Sequence, residues 1–296
     1  MPLLLAVLLP ATAAAQDSDG DAIPDAVENE SWYVNAGGSP QRSDVWVECD
    51  YMPGTVKKRG KIVQRTEAMF ERAPVPGGIA LHVAFDDAIP FEAQWGDVQT
   101  TEGFFATYER LLDAYVNRFD GHPFSGGDAT TMRAYMHYCV YIESMDSQAG
   151  VSGISLDSTT PFSGIPGDMF LIALGQFRGE VPRRFLRNFE SGVLLHELGH
   201  NLGLTHGGAS PRPHTNFKPH YLSVMNYHFV PGFVRLVDPS RAEYFRYWDY
   251  SRFTSDALNE RRLDETVGVP APPEDTVTQD ANADTLLGLA YCPDES

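Results

Sequence analysis

The run from His196 to His206 constrains this chain more than any other segment, because it fixes a helix and the point where that helix ends. It has the pattern H-E-x-x-H-x-x-G-x-x-H. On a helix, His196 and His200 lie one turn apart on the same face, so both imidazoles can bind one ion. Gly203 can adopt the left-handed conformation that ends a helix, and the resulting turn brings His206 back as a third ligand.

This spacing predicts a catalytic zinc site rather than a structural one. Three protein ligands leave the fourth position of a tetrahedral Zn²⁺ open for water. Glu197 follows the first histidine directly, where its carboxylate can reach that water rather than the ion, so we expect it to be the general base. The alternative is a set of histidines that are solvated or packed without a metal. That alternative is typical of two histidines one helical turn apart, and not of the full pattern with Gly203 and His206.

The same residues resemble the zinc motif of the metzincin clan of zinc endopeptidases, and a second segment agrees with it. Residues 223–227, Ser-Val-Met-Asn-Tyr, are similar to the methionine turn that these proteins carry beneath the metal. The resemblance implies that Met225 is a soft floor under the histidines and does not bind the ion. It also implies that Tyr227 binds zinc at rest and donates a hydrogen bond to the oxyanion, as in astacin-like and serralysin-like members. The short interval between His206 and Met225 is most like that of pappalysin-like and serralysin-like members.

Apolar periodicity predicts alternating strands and helices ahead of the motif. Strands are expected near 45–51, 79–85, 135–142 and 168–174, and helices near 61–73, 103–119 and 189–202. A strand, a helix and a strand in succession indicate a crossover between parallel strands. By resemblance, the fold class is α/β (α+β), a metzincin-like twisted and mostly parallel sheet with backing helices and a zinc-binding active-site helix. An antiparallel edge strand that pairs with substrate is expected within residues 150–175.

Four segments are expected along the chain. Residues 1–15 are apolar and end in small residues, which is typical of a signal peptide, although no Lys or Arg precedes the apolar run. Residues 16–43 form an acidic N-terminal segment, 44–265 the catalytic domain, and 266–296 an acidic tail. We therefore predict a secreted or periplasmic protein.

Acidic residues outnumber basic ones by 40 to 22, and the formal net charge is −18. This balance argues against nucleic acid or an anionic membrane surface as a partner. Beyond the leader, no segment reads as a membrane span. We expect a monomer that acts on a protein or peptide substrate. Cys49, Cys139 and Cys292 are compatible with one disulfide and one free thiol, and Cys292 is expected to tie the tail to the domain.

Residues 17–28 have the acidic spacing of an EF-hand-type calcium loop. Positions 1, 3, 5, 9 and 12 of such a loop correspond to Asp17, Asp19, Asp21, Asp25 and Glu28. The usual glycine at position 6 is replaced by Ala22, which makes the turn harder to form. Ca²⁺ is therefore a second predicted metal, and a disordered acidic tail is the alternative.

The favoured function is a secreted zinc-dependent endopeptidase with Glu197 as general base. Two other functions fit the same motif. One is a calcium-dependent adhesion or binding module on this fold that has lost catalysis, which the intact Glu197 argues against. The other is a zinc hydrolase of a non-protein substrate, because the motif fixes the nucleophile and not the acyl group.

Overall fold

Five strands form the central sheet of the molecule. The computed structural model describes residues 16–95, 135–145, 150–155, 169–208, 215–218, 221–238 and 243–251. The sheet strands are β1 (Asp44–Tyr51), β2 (Ala80–Ala88), β3 (Met136–Ile142), β4 (Gly153–Ser155) and β5 (Met169–Ala173). Their order is β2-β1-β3-β5-β4, with parallel pairing throughout except for the antiparallel edge strand β4. The predicted α/β fold, with a mostly parallel sheet and an antiparallel edge strand, is confirmed.

Four α-helices and a separate hairpin accompany the sheet in the described part of the chain. The helices are α1 (Asp25–Glu28), α2 (Ser31–Ala36), α3 (Arg59–Phe70) and α4 (Arg183–Asn201), and the hairpin consists of β6 (Phe233–Asp238) and β7 (Glu243–Tyr247). Helix α3 makes the crossover between the parallel strands β1 and β2, as the sequence predicts. It buries the helical face formed by Ile62, Thr66, Met69 and Phe70.

The sheet is covered on both faces, which explains why its inner strands are almost continuously apolar. All five residues of β5 are buried. On one face, Cys139 and Tyr141 of β3 pack in the same cluster as Leu194 and Leu198 of α4. The alternate residues of β3, among them Val140, pack in a second cluster on the other face. Burial on this scale holds α4 in a fixed position against the sheet.

Two boundaries differ from the sequence prediction. Helix α4 begins at Arg183 rather than near 189, because Pro182 provides an extended N-cap and Phe185 and Leu186 continue the apolar face one turn earlier. Strand β2 continues to Ala88, where the chain still runs beside β1. The helix predicted at 103–119 lies outside the described residues.

The two cysteines in the described region form no disulfide. Cys49 and Cys139 face each other in register on β1 and β3, and both are buried free thiols. Their strands already pair through the backbone, so the core needs no covalent link at this point. Cys292, with the tail that it was expected to tie down, lies outside the described residues.

The N-terminal segment packs at the end of the sheet where β1 begins. Ile23 and Tyr33 are buried together with Trp46 of β1 in a third apolar cluster. The indole N–H of Trp46 donates to the Tyr33 hydroxyl at 3.1 Å. Ile23 and Tyr33 thus attach the N-terminal segment to β1. No helix in the described ranges is both long and apolar enough to span a bilayer.

Candidate active site

The histidine motif lies at the end of α4, and the helix stops where the sequence predicts. Asn201 is its last residue, and Gly203 has a left-handed φ of 83°. The N–H of Gly203 donates to the carbonyl of His200 at 2.9 Å, and the N–H of Leu204 donates to that of Gly199 at 2.8 Å. These two bonds form a Schellman motif, which reverses the chain and carries the following residues back over the helix end.

The reversal brings three imidazole nitrogens together. The Nε2 atoms of His196 and His200 are 3.2 Å apart, those of His196 and His206 are 3.2 Å apart, and those of His200 and His206 are 3.0 Å apart. Nitrogens bound tetrahedrally to one zinc at about 2.0–2.1 Å would be separated by roughly 3.3 Å. The three histidines therefore form a ready candidate metal site.

The other ring nitrogens explain why these Nε2 atoms can act as ligands. His196 Nδ1 lies 2.9 Å from the carbonyl oxygen of Val224, and His200 Nδ1 lies 2.9 Å from that of Leu204. A carbonyl only accepts hydrogen bonds, so each Nδ1 carries the hydrogen and each Nε2 presents a lone pair. Burial, together with the neighbouring His200 and His206, holds the pKa of His196 well below its usual range. Neutral lone pairs that converge in this way fit a zinc ion.

The methionine turn lies directly beneath the helix, as the resemblance implies. Met225 is completely buried, and a Cβ at Gly199 would collide with its Sδ and come within 3.0 Å of the Tyr250 ring. A Cβ at Gly192, two turns earlier, would collide with the carbonyl oxygen of Val230. Both glycines therefore allow the helix to approach the segment that supplies the Val224 carbonyl. Tyr250 closes this contact, since its hydroxyl donates to the Leu195 carbonyl at 2.7 Å.

Glu197 lies beside the histidines in a cleft of about 240 Å³. Its side chain is almost fully covered, and burial raises its pKa to about 8. Gly153 of the edge strand lies against the carboxylate, and any Cβ there would overlap the carboxylate atoms. The cleft is lined by Gly153, Ile154, Ser155, His196, Glu197, His200, Thr205, His206 and Tyr227. Edge strand, general-base candidate and metal-site candidate thus share one cavity.

Tyr227 is on the open side of the cleft and is 49 % exposed. Its ring centroid is 4.6 Å from that of His206 and 5.2 Å from that of His196. Partial burial, followed by the charge of Glu197, raises its pKa above the ordinary value, so the hydroxyl keeps its proton at neutral pH. The side-chain oxygen of Asn216 accepts the backbone N–H of Tyr227 at 2.9 Å and fixes this position.

The predicted calcium ligands are brought together in part. Oxygens of Asp17, Asp19 and Asp21 lie within 4.8 Å of one another. Asp25 is not in this group, and its two oxygens accept hydrogen bonds from the N–H and the hydroxyl of Ser18, at 2.7 and 2.8 Å. Glu28 instead groups with Asp21 and Asp44, the first residue of β1.

Several residues that shape the site escaped the sequence analysis. Asn201 donates from Nδ2 to the Ser155 hydroxyl at 2.7 Å and so ties the end of α4 to β4. Asn226, which is completely buried, donates to the Lys218 carbonyl at 2.7 Å and holds the loop that carries Asn216. Gly153 has no neighbouring motif. Asn201 and Gly153 contact partners far away in sequence, and Asn226 contacts a residue outside the methionine turn, so a local pattern carries no signal for these contacts.

Taken together, the fold and site define an α/β protein with a three-histidine metal-site candidate and a buried carboxylate in one cleft. No family model and no curated protein matches the chain. Among solved structures, the chain is similar to metalloproteinase-II from Bacteroides fragilis, with 12 % identity over 62 % of this chain and 46 % of that chain, and a TM-score of 0.36. This chain therefore spans about half the length of that neighbour.

Two further solved structures are similar over a comparable part of the chain. A zinc-dependent peptidase from Methanocorpusculum labreanum is 12 % identical over 61 % of this chain and 87 % of its own, with a TM-score of 0.38. Archaemetzincin from Methanopyrus kandleri is 17 % identical over 62 % of this chain and 81 % of its own, with a TM-score of 0.34. These similarities carry no functional argument. The proposed function rests on the residues of the cleft.

Proposed function

We propose that this chain is a zinc-dependent endopeptidase that hydrolyses peptide bonds in the cleft between β4 and the end of α4. The observation that carries the proposal is the convergence of three imidazole Nε2 atoms within 3.0–3.2 Å, beside a buried carboxylate. His196, His200 and His206 would hold the metal. When bound, Zn²⁺ lowers the pKa of water from about 15.7 to near 7 and polarises a carbonyl oxygen.

Glu197 is positioned to move the proton in this reaction. Its carboxylate lies in the same cavity as the three histidines, and the glycine opposite leaves room at its oxygens. We propose that it accepts the proton of the attacking water and delivers that proton to the leaving amine. Water attacks the scissile carbonyl carbon, the C–N bond breaks, and the products are a carboxylate and an amine.

Tyr227 is proposed to stabilise the charge that develops on the carbonyl oxygen. Its hydroxyl keeps its proton, because burial and Glu197 raise its pKa. A neutral phenol aimed into the cleft can donate a hydrogen bond to an oxyanion. The short interval between His206 and Met225 supports a type similar to pappalysin-like and serralysin-like members.

The edge strand supports a peptide as substrate. Gly153–Ser155 is the outermost strand on its side of the described sheet, and all three residues line the cleft. An extended peptide can add to such an edge by backbone hydrogen bonds, which places its carbonyl groups in a row past the metal site. The proposal also includes export, on the basis of the apolar residues 2–15 that end in small residues.

Cleavage of a denatured protein by the purified zinc-loaded chain tests the proposal. We expect the wild type to cut the protein and a zinc chelator to abolish cutting. Glu197→Gln should lower the rate at least 10³-fold, which corresponds to several kcal/mol of activation barrier. The matched control is Glu180→Gln, which removes the same charge from an exposed position and should leave the rate unchanged. Metal analysis should find one zinc per chain in all three proteins.

Two outcomes would contradict the proposal. Full activity of Glu197→Gln would remove this carboxylate from the mechanism. One bound zinc without cleavage of any protein or peptide would favour a hydrolase of another substrate or a binding module.

A further inference from the structure

Glu28, the last residue of α1, is a buried carboxylate without a partner. None of its surface is exposed, and neither of its oxygens has a hydrogen-bond partner. Oδ2 of Asp19 is also buried without one. Burying carboxylate oxygens in this state is costly, and proteins satisfy such groups with a donor or with a cation. These three atoms therefore point to a ligand.

Three more carboxylate groups, those of Asp17, Asp21 and Asp44, lie beside these atoms in two overlapping sets. Oxygens of Asp21, Glu28 and Asp44 lie within 4.8 Å of one another, and Asp21 belongs also to the set with Asp17 and Asp19. We call these residues the acidic cluster: Asp17, Asp19, Asp21, Glu28 and Asp44.

Basic side chains do not neutralise the buried end of this cluster. His82 Nε2 lies 2.7 Å from Oδ1 of Asp44, and the Arg42 guanidinium lies 3.9 Å from the same atom. Both contacts go to Asp44, whereas the oxygens of Glu28 accept no hydrogen bond. Burial, and then the charges of the neighbouring aspartates, raise the pKa of Glu28 to about 8. Negative charge thus accumulates around a carboxyl group that has no donor.

We infer that the acidic cluster binds a calcium ion that joins the N-terminal loop to the first strand of the sheet. All the donors are carboxylate oxygens, which are the hard ligands that Ca²⁺ takes in sets of six to eight. Four members hold positions 1, 3, 5 and 12 of an EF-hand-type spacing. Asp44 is the fifth, and it belongs to the sheet rather than to the loop.

The position of the cluster indicates what the ion would do. The N–H of Asp44 donates to Oδ2 of Asp21 at 2.7 Å, so loop and strand already touch at this point. Directly behind lies the apolar cluster of Ile23, Tyr33 and Trp46. No member of the acidic cluster lines the cleft. The ion would therefore stabilise the attachment of the N-terminal segment, independently of the proposed peptidase chemistry.

Calcium titration of the full zinc-loaded chain, stripped of other cations, tests this inference. We expect one Ca²⁺ per chain by calorimetry and a rise in Tm of several degrees with added CaCl₂. Glu28→Gln should weaken Ca²⁺ binding at least tenfold and abolish the Tm response. Without calcium, this variant should be as stable as the wild type or more so, because the amide removes the repulsion between the Glu28 carboxyl group and the neighbouring aspartates. A variant that failed to fold would instead be less stable than the wild type without calcium.

Two further variants sharpen the test. Asp19→Asn, at a partly exposed loop position and with almost no change in side-chain size, should also weaken Ca²⁺ binding. Glu30→Gln is the matched control, because Glu30 is exposed, lies two residues from Glu28, and only accepts the Trp32 indole N–H. It should keep the full response. An equal calcium response in Glu28→Gln and the wild type would overturn the inference, as would no binding of Ca²⁺ at millimolar concentration or displacement of Ca²⁺ from the cluster by Zn²⁺.

Discussion

Gly153 of the edge strand lies directly against the carboxylate of Glu197. A Cβ built on Gly153 would overlap Oε1, Cγ and Cδ of that side chain. The absence of a side chain at this one position therefore gives the proposed general base its room. It also brings the backbone of β4, where substrate would pair, next to the reacting groups.

We therefore expect Gly153→Ala to displace the Glu197 carboxylate and to lower kcat by about 100-fold or more, since a misplacement of about 1 Å can cost that much. Zinc content should not change, because the histidines are untouched. Gly60→Ala is the matched control. A Cβ at Gly60 meets no atom within 4 Å, so activity should persist while α3 becomes slightly more stable. Rate measurements and metal analysis on both variants decide the point, and an active Gly153→Ala would refute it.

A second close approach, between Gly199 and Met225, should control the stability of the metal site. Gly199→Ala places a methyl group against Sδ of Met225 and the Tyr250 ring. We expect a loss of about 1–3 kcal/mol in the free energy of unfolding and weaker zinc binding, because the turn that carries the Val224 carbonyl must move. Chemical denaturation with and without zinc measures both effects.

The compensating variant distinguishes this contact from a general effect of the substitution. Met225→Ala alone should also destabilise the chain, because it leaves a cavity in a fully buried position. In the double variant, the new methyl group enters the space that the methionine has left, so the two losses should be clearly less than additive. Strict additivity would show that Gly199 and Met225 do not interact.

The zinc motif could be predicted from sequence because its geometry is local. The helix, the turn at Gly203 and the return of His206 depend on neighbouring residues, and the structure brings all three histidines together. The four parallel strands of the sheet were also predictable, since buried parallel strands are read from apolar runs. The start of α4 was missed because its first turn mixes Arg with apolar residues, and no strong capping residue marks it.

Contacts between distant segments account for what the sequence did not show. Asp44 groups with Asp21 and Glu28, because β1 brings it to the loop from outside the motif. Asn216 reaches the backbone of Tyr227 from a separate loop, and Gly153 reaches Glu197 from the edge strand. Such pairings depend on how the sheet is assembled, and one sequence holds no local record of them.

Tyr227→Phe tests the proposed oxyanion donor. The ring contacts with His196 and His206 should persist, so zinc content and fold should be unchanged. The hydroxyl would be lost, and we expect kcat to fall by about 10- to 100-fold with little change in KM, at or below the usual cost of one oxyanion donor. Steady-state kinetics provide the measurement. An unchanged kcat would exclude the hydroxyl from the mechanism.

Stability should fall as the pH rises, because of Glu48 in β1. Glu48 is 2 % exposed, and burial, followed by the charges of Asp50, Asp86 and Asp87, raises its pKa to about 9 from an ordinary value of 4.5. The folded chain thus keeps a proton that the unfolded chain releases. The stabilisation that comes from this retained proton is fully present below about pH 4.5 and is lost progressively as the pH rises towards 9.

Glu48→Gln removes this dependence, because the amide does not ionise. We expect the variant to be more stable than the wild type at pH 8, on the order of 2–4 kcal/mol, and nearly equal at pH 5. Thermal unfolding across this range gives the comparison, and the exposed Glu180→Gln serves as control. A variant less stable than the wild type at pH 8 would show that the Glu48 carboxylate makes a favourable interaction in the folded chain.

Ala22 carries backbone strain that a single substitution should release. It has a left-handed φ of 74°, the conformation that position 6 of the acidic loop requires and that a Cβ disfavours. Ala22→Gly should therefore stabilise the chain by up to about 1 kcal/mol, and it should also tighten Ca²⁺ binding several-fold, because the loop reaches its bound shape at lower cost. Ala26→Gly, at an exposed helical position of α1, should have the opposite effect, a loss of about 0.5–1 kcal/mol. Denaturation and calcium titration of both variants measure these effects, and a loss of stability in Ala22→Gly as well would mean that the conformation of Ala22 is not strained.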